Sequence, residues 1–184
     1  PDRSLFCGDD DDPDYCAIGT IWRSYESLLR DQVWDLLSAG ECMEAFDLIR
    51  YAMEAMRAWT IPDPDRAREI IADNCVRLWR EIIDAAEENE KEQLRGRLEA
   101  WATDIGAPLC KKALECILQA FAEPPYTEWT VELLGRVIDR ENEEDPFRNR
   151  TGSLAVRMIE LLRTLPGREG EIPDLRREYH AAFA

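Results

Sequence analysis

The chain has 184 residues, of which 23 are Lys or Arg, 39 are Asp or Glu and one is His, giving a formal net charge of −16 at pH 7. Such a surface repels phosphate backbones, which disfavours nucleic-acid binding through a basic patch, while basic proteins, basic peptides and cations remain possible partners. No run of about 18 apolar residues occurs, and the N-terminus lacks the pattern of a signal peptide, so we expect a cytoplasmic protein without a transmembrane helix.

Residues 1–14 are predicted to be an acidic flexible segment, because Gly8 is followed by a run of aspartates that repel one another and offer nothing to bury. The run lacks the alternating ligands, central glycine and final glutamate of an EF-hand loop, so we expect no calcium site. The remaining residues, 15–184, are long enough for one well-buried domain. Because residue 1 is proline rather than methionine, we expect the chain to be a fragment of a larger protein or a processed form.

The clearest helical pattern begins after the break at Ser38, Ala39 and Gly40. Apolar residues recur there at steps of three and four, which predicts a core helix over about 41–59: Cys42, Ala45, Phe46, Ile49, Ala52, Met53 and Met56. A second pattern over about 15–38 precedes the break, with apolar positions that include Ile21, Trp22, Leu28, Leu29 and Val33. The short break predicts that these two helices fold back as an antiparallel hairpin.

Five further helices are predicted from apolar spacing and from Pro or Gly breaks, and they cover about 66–88, 90–104, 108–122, 127–138 and 153–165. A charged loop is expected over 139–152, and a final exposed helix or tail over 173–183. The predicted fold class is therefore all-α, with seven or eight helices in stacked antiparallel hairpins, as in an irregular solenoid or bundle.

Six cysteines are present, and no Cys-x-x-Cys pair occurs among them: Cys7, Cys16, Cys42, Cys75, Cys110 and Cys116. Cys42, Cys75 and Cys116 share positions with apolar residues, where a free cysteine behaves as a small hydrophobe. This pattern favours reduced thiols in a cytoplasmic protein, and one or more disulfides is the alternative.

The sequence offers little for catalysis. His180 is the only histidine and lies near the C-terminus, and neither a Glu-x-x-His motif nor a glycine-rich phosphate loop occurs. We therefore assign no catalytic residue, metal or cofactor, and we do not expect an enzyme; a copurifying metal or cofactor would reopen that question.

Candidate partner-binding residues are predicted in the first two helices. Trp34 and Trp59 lie at the margins of their apolar stripes, where aromatic residues often anchor a partner. Glu41, Glu44 and Asp47 lie on the polar side of the second helix and would supply an acidic rim. Plain packing of the two tryptophans is the alternative interpretation.

Two resemblances follow from these helices. The spacing of Gly40, Ala45, Ile49 and Ala52 resembles the second helix of a tetratricopeptide repeat. It covers about a dozen residues, the first helix has Val33 where a small residue is expected, and no later helix pair repeats the pattern. A regular tetratricopeptide array is therefore not expected, whereas a divergent array of helical hairpins is.

The order of the segments 40–46, 61–65, 70–83 and 90–104 resembles the helical region that follows the zinc finger in bacterial SWIM-domain proteins. The resemblance covers about residues 15–122 and implies an interaction region of a larger protein with nucleic-acid connections. The Cys-x-Cys and Cys-x-His zinc motif is absent, so no zinc-ligand role is carried over.

The sequence as a whole predicts a non-catalytic protein-interaction domain that binds a basic partner or segment, with helix-in-groove or peptide-in-groove docking. The alternative is a small acidic inhibitor, such as an immunity protein, antitoxin or DNA mimic, that blocks a basic cleft.

Overall fold

Helices make up most of the chain that the computed structural model describes, residues 13–58, 66–104, 106–144 and 150–179. Within these ranges there is no strand, and a 3-10 turn at Glu169–Glu171 accompanies eight α-helices: α1 (Pro13–Ser38), α2 (Cys42–Ala58), α3 (Ala67–Ala85), α4 (Glu88–Thr103), α5 (Cys110–Ala120), α6 (Thr127–Glu144), α7 (Arg150–Leu162) and α8 (Ile172–Glu178). The predicted all-α fold class is confirmed.

The chain forms two compact units, residues 1–91 (unit 1) and residues 92–184 (unit 2), and the boundary falls inside α4. Unit 1 contains α1, α2, α3 and the first turn of α4. Residues 1–12 of the predicted acidic segment lie outside the described residues, whereas Pro13 and Asp14 belong to α1. The prediction of a single domain over residues 15–184 stays a prediction.

The turn between α1 and α2 is closed by a Schellman motif. The amide of Glu41 donates to the carbonyl of Leu36 at 2.9 Å, and the amide of Gly40 donates to the carbonyl of Leu37 at 3.0 Å. Gly40 has a φ of +79°, a left-handed conformation that glycine adopts without strain. This turn folds α2 back along α1, where the two helices pack together.

The core of unit 1 is built from one face each of α1, α2 and α3. All seven apolar residues predicted for the core side of α2 are buried. The Phe46 and Trp79 rings stack with centroids 5.0 Å apart, and the Trp79 indole N–H donates to the Phe46 carbonyl at 3.1 Å. Tyr25 Oη donates to the Ala52 carbonyl at 3.0 Å, so α2 is joined to both neighbouring helices by specific hydrogen bonds.

Helix α1 buries less of its apolar pattern than its sequence predicts. Trp22, Leu29 and Val33 are buried, but Ile21 is 46% and Leu28 is 60% exposed. Seven residues separate Ile21 from Leu28, which places them on one side of the helix, next to the buried stripe. The apolar pattern of α1 is therefore broader than the surface that α2 and α3 cover within unit 1.

Unit 2 packs α4 to α8 around its own apolar interior, in which Leu94, Leu98, Ile117 and Phe121 are all nearly inaccessible to solvent. The Thr130 hydroxyl donates to the Phe121 carbonyl at 2.5 Å. This bond satisfies an acceptor at the end of α5 and ties it to the first turn of α6.

The predicted loop over 139–152 is wrong for all of its described residues, because α6 continues to Glu144 and α7 begins at Arg150. Leu134, Val137, Ile138 and Glu141 are all buried and continue one stripe at helical spacing, so a glutamate occupies a position where the pattern calls for an apolar residue. Residues 145–149 lie outside the described residues.

Four cysteines have side chains that the structure describes, and all four are buried free thiols: Cys42, Cys75, Cys110 and Cys116. Burial of the three that share positions with apolar residues is thereby confirmed.

Candidate functional site

A groove of about 350 Å³ lies between α1 and α3 of unit 1. Its floor consists of Leu29, Ile71, Cys75 and Leu78, each of which is at most 7% exposed. These residues belong to the core stripes of the two helices, so the groove is a depression over the packed interior. Its size is at the small end of ligand-binding clefts in proteins.

Each wall of the groove is one row of side chains. On α1, Glu26, Arg30 and Trp34 follow one another at steps of four residues and therefore share a side of the helix. On α3 the wall consists of Asn74, Arg77 and Glu81, at steps of three and four residues.

A hydrogen-bonded chain of polar groups crosses the groove. Arg30 pairs with Glu26 at 3.2 Å, the Asn74 side-chain amide donates to the same Glu26 oxygen, and Arg77 donates to the Asn74 carbonyl oxygen. Glu26 of α1 and Asn74 of α3 therefore lie side by side. From this pair the groove continues towards higher residue numbers on both helices, so α1 and α3 run in the same direction. The two rows end at Trp34 on α1 and at Glu81 on α3.

Trp34 is 51% exposed, although the preceding residue, Val33, is completely buried. Successive residues of a helix point about 100° apart, so the buried stripe ends between these two positions. A half-exposed tryptophan indicates a binding surface more strongly than a small exposed apolar residue does, because a partner that covers the indole buries a large apolar area. The sequence prediction placed Trp34 at the margin of its stripe, and the structure locates it on the groove wall.

The predicted acidic rim lies elsewhere. Glu41 precedes α2, Glu44 is exposed in its first turn, and Asp47 pairs with Arg50 at 3.5 Å; none of the three lines the groove. Within unit 1 the structure therefore does not bring the acidic rim together with Trp34. Trp59, the other predicted anchor, lies outside the described residues.

Carboxylates do surround the start of α2. The pKa of the Cys42 thiol is raised, first by burial and then by the negative charges of Glu90, Glu87 and Glu44. A thiol with a raised pKa stays protonated near neutral pH and is a poor nucleophile. The three carboxylates that act on Cys42, here called the acidic corner, come from the first turn of α2 and from the start of α4 with the residue before it.

Two features of the groove escaped the sequence analysis. The sequence analysis did not single out Glu81. Ile70 belongs to the apolar pattern that predicted the helix over about 66–88, yet it is 55% exposed. Ile70 lies one turn before Asn74 on the same side of α3 and therefore extends that wall. Ile70 and Glu81 differ from other exposed residues only because α3 packs beside α1. Helical periodicity does not reveal that packing.

A second polar cluster lies within unit 2, between α4 and α6. The Trp129 indole N–H donates to Glu99 at 3.2 Å, Arg136 donates to the same carboxylate at 2.6 Å, and the Arg95 guanidinium lies 4.9 Å from the centre of the Trp129 ring. Every polar group of this cluster is used inside the unit, so it joins the two helices and leaves little for a ligand.

No described helix has the combination of length and apolar character that crossing a bilayer requires. Among residues 13–58, 66–104, 106–144 and 150–179, no group of three or more His, Cys, Asp or Glu side chains is positioned to hold a metal ion. No protein-family model, curated protein or solved structure matches the chain.

Proposed function

We propose that unit 1 is a non-catalytic protein-interaction module that binds a basic segment of a partner protein in the groove between α1 and α3. The observation that carries this proposal is the position of Trp34, half exposed on the wall of a groove with an apolar floor. Buried aromatic anchors contribute a large share of the binding energy in many interfaces, and tryptophan is the residue most enriched among them.

The charge distribution supports a basic partner. Residues 1–91 contain 22 acidic and 10 basic residues, a net charge of −12, whereas residues 92–184 contain 17 and 13, a net charge of −4. Most of the negative charge of the chain therefore belongs to the unit that carries the groove. Complementary charge accelerates encounter and makes binding sensitive to salt, while the apolar contacts supply affinity.

The dimensions of the groove favour a short segment. The lining residues span eight steps along α1 and ten along α3, which at 1.5 Å per residue corresponds to roughly 12–15 Å. A partner helix of about two to three turns would cover this length, with one or two apolar side chains over Leu29, Ile71 and Leu78.

We propose that the module acts within a larger protein.

Selection from a displayed library of short helical segments tests this function with the full chain as bait. The tightest segments are then measured by fluorescence anisotropy against the wild type, Trp34→Ala and Tyr51→Ala. Tyr51 is a matched control, because it is 58% exposed on α2 and does not line the groove.

The expected result is enrichment of segments with a net positive charge, whose affinity falls about tenfold or more in Trp34→Ala and less than twofold in Tyr51→Ala. Affinity is also expected to fall as salt rises. Equal loss in both variants, or no enrichment at all, would contradict the proposed function.

The second candidate, an acidic inhibitor that blocks a basic cleft, is supported by the acidic corner next to Cys42. Capture of proteins from a native lysate at low and high salt separates the two functions. An inhibitor would retain a nuclease or DNA-binding protein whose capture is weakened by replacing Glu44, Glu87 and Glu90 with glutamine and is unaffected by Trp34→Ala.

A further inference from the structure

We propose that the open end of the groove is an arginine-binding subsite, in which a guanidinium of the partner stacks on Trp34 and pairs with Glu81. This inference rests on the proposed function for the location of the site and adds the chemistry of the anchor. The inference is based on which charged side chains of the groove already have a hydrogen-bonding partner and which has none.

Three of the four charged side chains that line the groove are held by other groups of the groove. Arg30 and Glu26 form an ion pair at 3.2 Å, and Arg77 donates to Asn74. Glu81 is the exception, since it forms no hydrogen bond or ion pair with any of the described residues. Its carboxylate is therefore the acceptor in the groove that remains open to a ligand.

Trp34 and Glu81 end the two walls, so the free carboxylate and the exposed indole lie at the same end of the groove. Asp31, one turn before Trp34 on α1, adds a second carboxylate on the tryptophan side. An exposed indole at the end of a groove that also carries a free carboxylate attracts a cation through the ring quadrupole and through charge.

Arginine fits this combination better than lysine. Its planar guanidinium stacks on an aromatic face and donates two parallel hydrogen bonds to one carboxylate, whereas an ammonium group is a strongly hydrated point charge. Unit 2 shows the same chemistry inside the protein, where Arg95 lies over the Trp129 ring and pairs with Glu92.

Fluorine NMR of the full chain labelled with 5-fluorotryptophan tests the subsite. The Trp34 resonance is assigned as the one that disappears in Trp34→Phe. The probes are N-acetyl-arginine amide, N-acetyl-lysine amide and N-acetyl-citrulline amide, of which the last keeps the shape of arginine without its charge.

The arginine amide is expected to shift the Trp34 resonance saturably, with a dissociation constant of roughly millimolar to tens of millimolar. Glu81→Gln is expected to weaken that binding about two- to fivefold, the range typical of one exposed ion pair. Arg77→Gln removes a cation one turn from Glu81 and is expected to strengthen binding of the arginine amide. Citrulline amide and lysine amide are both expected to bind more weakly than arginine amide.

Equal shifts with arginine and citrulline amides, or no change in Glu81→Gln, would overturn the arginine subsite. Equal affinity for lysine would overturn the guanidinium preference. The selected segments distinguish failure of the subsite from failure of the proposed function. If a segment keeps its Trp34-dependent affinity when its arginines are replaced by citrulline, the groove is still the binding site but the arginine subsite is disproved.

Discussion

Trp79 and Trp34 lie on neighbouring helices of unit 1 in opposite environments. Trp79 is completely buried, stacks on Phe46 and has its indole N–H satisfied, so both its apolar body and its polar atom are used in folding. Trp34 leaves half of its surface in solvent. The tryptophan that contributes less to stability is therefore the one available to a partner.

Tyr25 gives a stability prediction at the same scale. Burial, and to a smaller extent nearby Cys75, raises the pKa of Tyr25 from 10.0 to about 12. A group whose pKa is raised by folding stabilises the protein fully below its unfolded pKa, and this contribution is lost as the pH rises through the folded value. We expect the wild type to lose stability between pH 10 and 12 relative to Tyr25→Phe.

Urea unfolding of both proteins across that pH range measures this difference. At neutral pH, Tyr25→Phe should be less stable by about 1 kcal/mol, because the hydrogen bond to the Ala52 carbonyl is lost. Parallel loss of stability in the two proteins above pH 10 would show that another group is responsible.

Two glycines, one in a turn and one inside a helix, affect the stability of the helices in different ways. Gly40 ends the α1–α2 turn with a φ of +79°, whereas Gly96 lies inside α4, where an added Cβ would meet no atom within 4 Å. The first glycine is required by the left-handed turn. The second only lowers the helical propensity of α4.

Alanine at each position should therefore have effects of opposite sign. Gly40→Ala is expected to lower the free energy of unfolding by about 1–2 kcal/mol, because the side chain disfavours the left-handed conformation. Gly96→Ala is expected to raise it by about 1 kcal/mol, because alanine is the better helix former. Thermal unfolding followed by circular dichroism measures both, and a loss of stability in Gly96→Ala would contradict the open environment of that residue.

Helical periodicity predicts the positions of the helices well and the exposed surfaces less well. The α2 stripe is correct at every residue, because its apolar positions recur at helical spacing from the first turn of the helix to the last. The end of α6 was missed because the sequence from Asp139 is highly charged, so the buried position of Glu141 carries no apolar signal. The groove was missed because periodicity assigns Trp34, Asn74 and Glu81 to helix faces without revealing that α1 and α3 lie side by side.

At the scale of the whole molecule, negative charge is the dominant feature. Most ion pairs among the described residues join side chains three or four positions apart on one helix, such as Arg50 with Glu54 at 3.1 Å. Pairs of this kind contribute little to stability individually. They also do not offset the repulsion expected from a net charge of −16.

Added salt should therefore stabilise the protein. Raising sodium chloride from about 20 to about 300 mM shortens the Debye length from roughly 20 to roughly 6 Å, which screens repulsion between distant carboxylates. We expect the midpoint of thermal unfolding to rise by a few degrees. A falling midpoint would mean that the helical ion pairs outweigh the long-range repulsion.

The most direct test of the groove as the binding site is a titration of the isotope-labelled chain with one selected basic segment, followed by amide chemical shifts in NMR. We expect the largest shifts in residues 26–34 of α1 and 71–81 of α3, and much smaller shifts at the same segment concentration in Trp34→Ala, whose affinity is lower. Shifts confined to the surface of Glu41, Glu44 and Asp47, or to unit 2, would contradict the account.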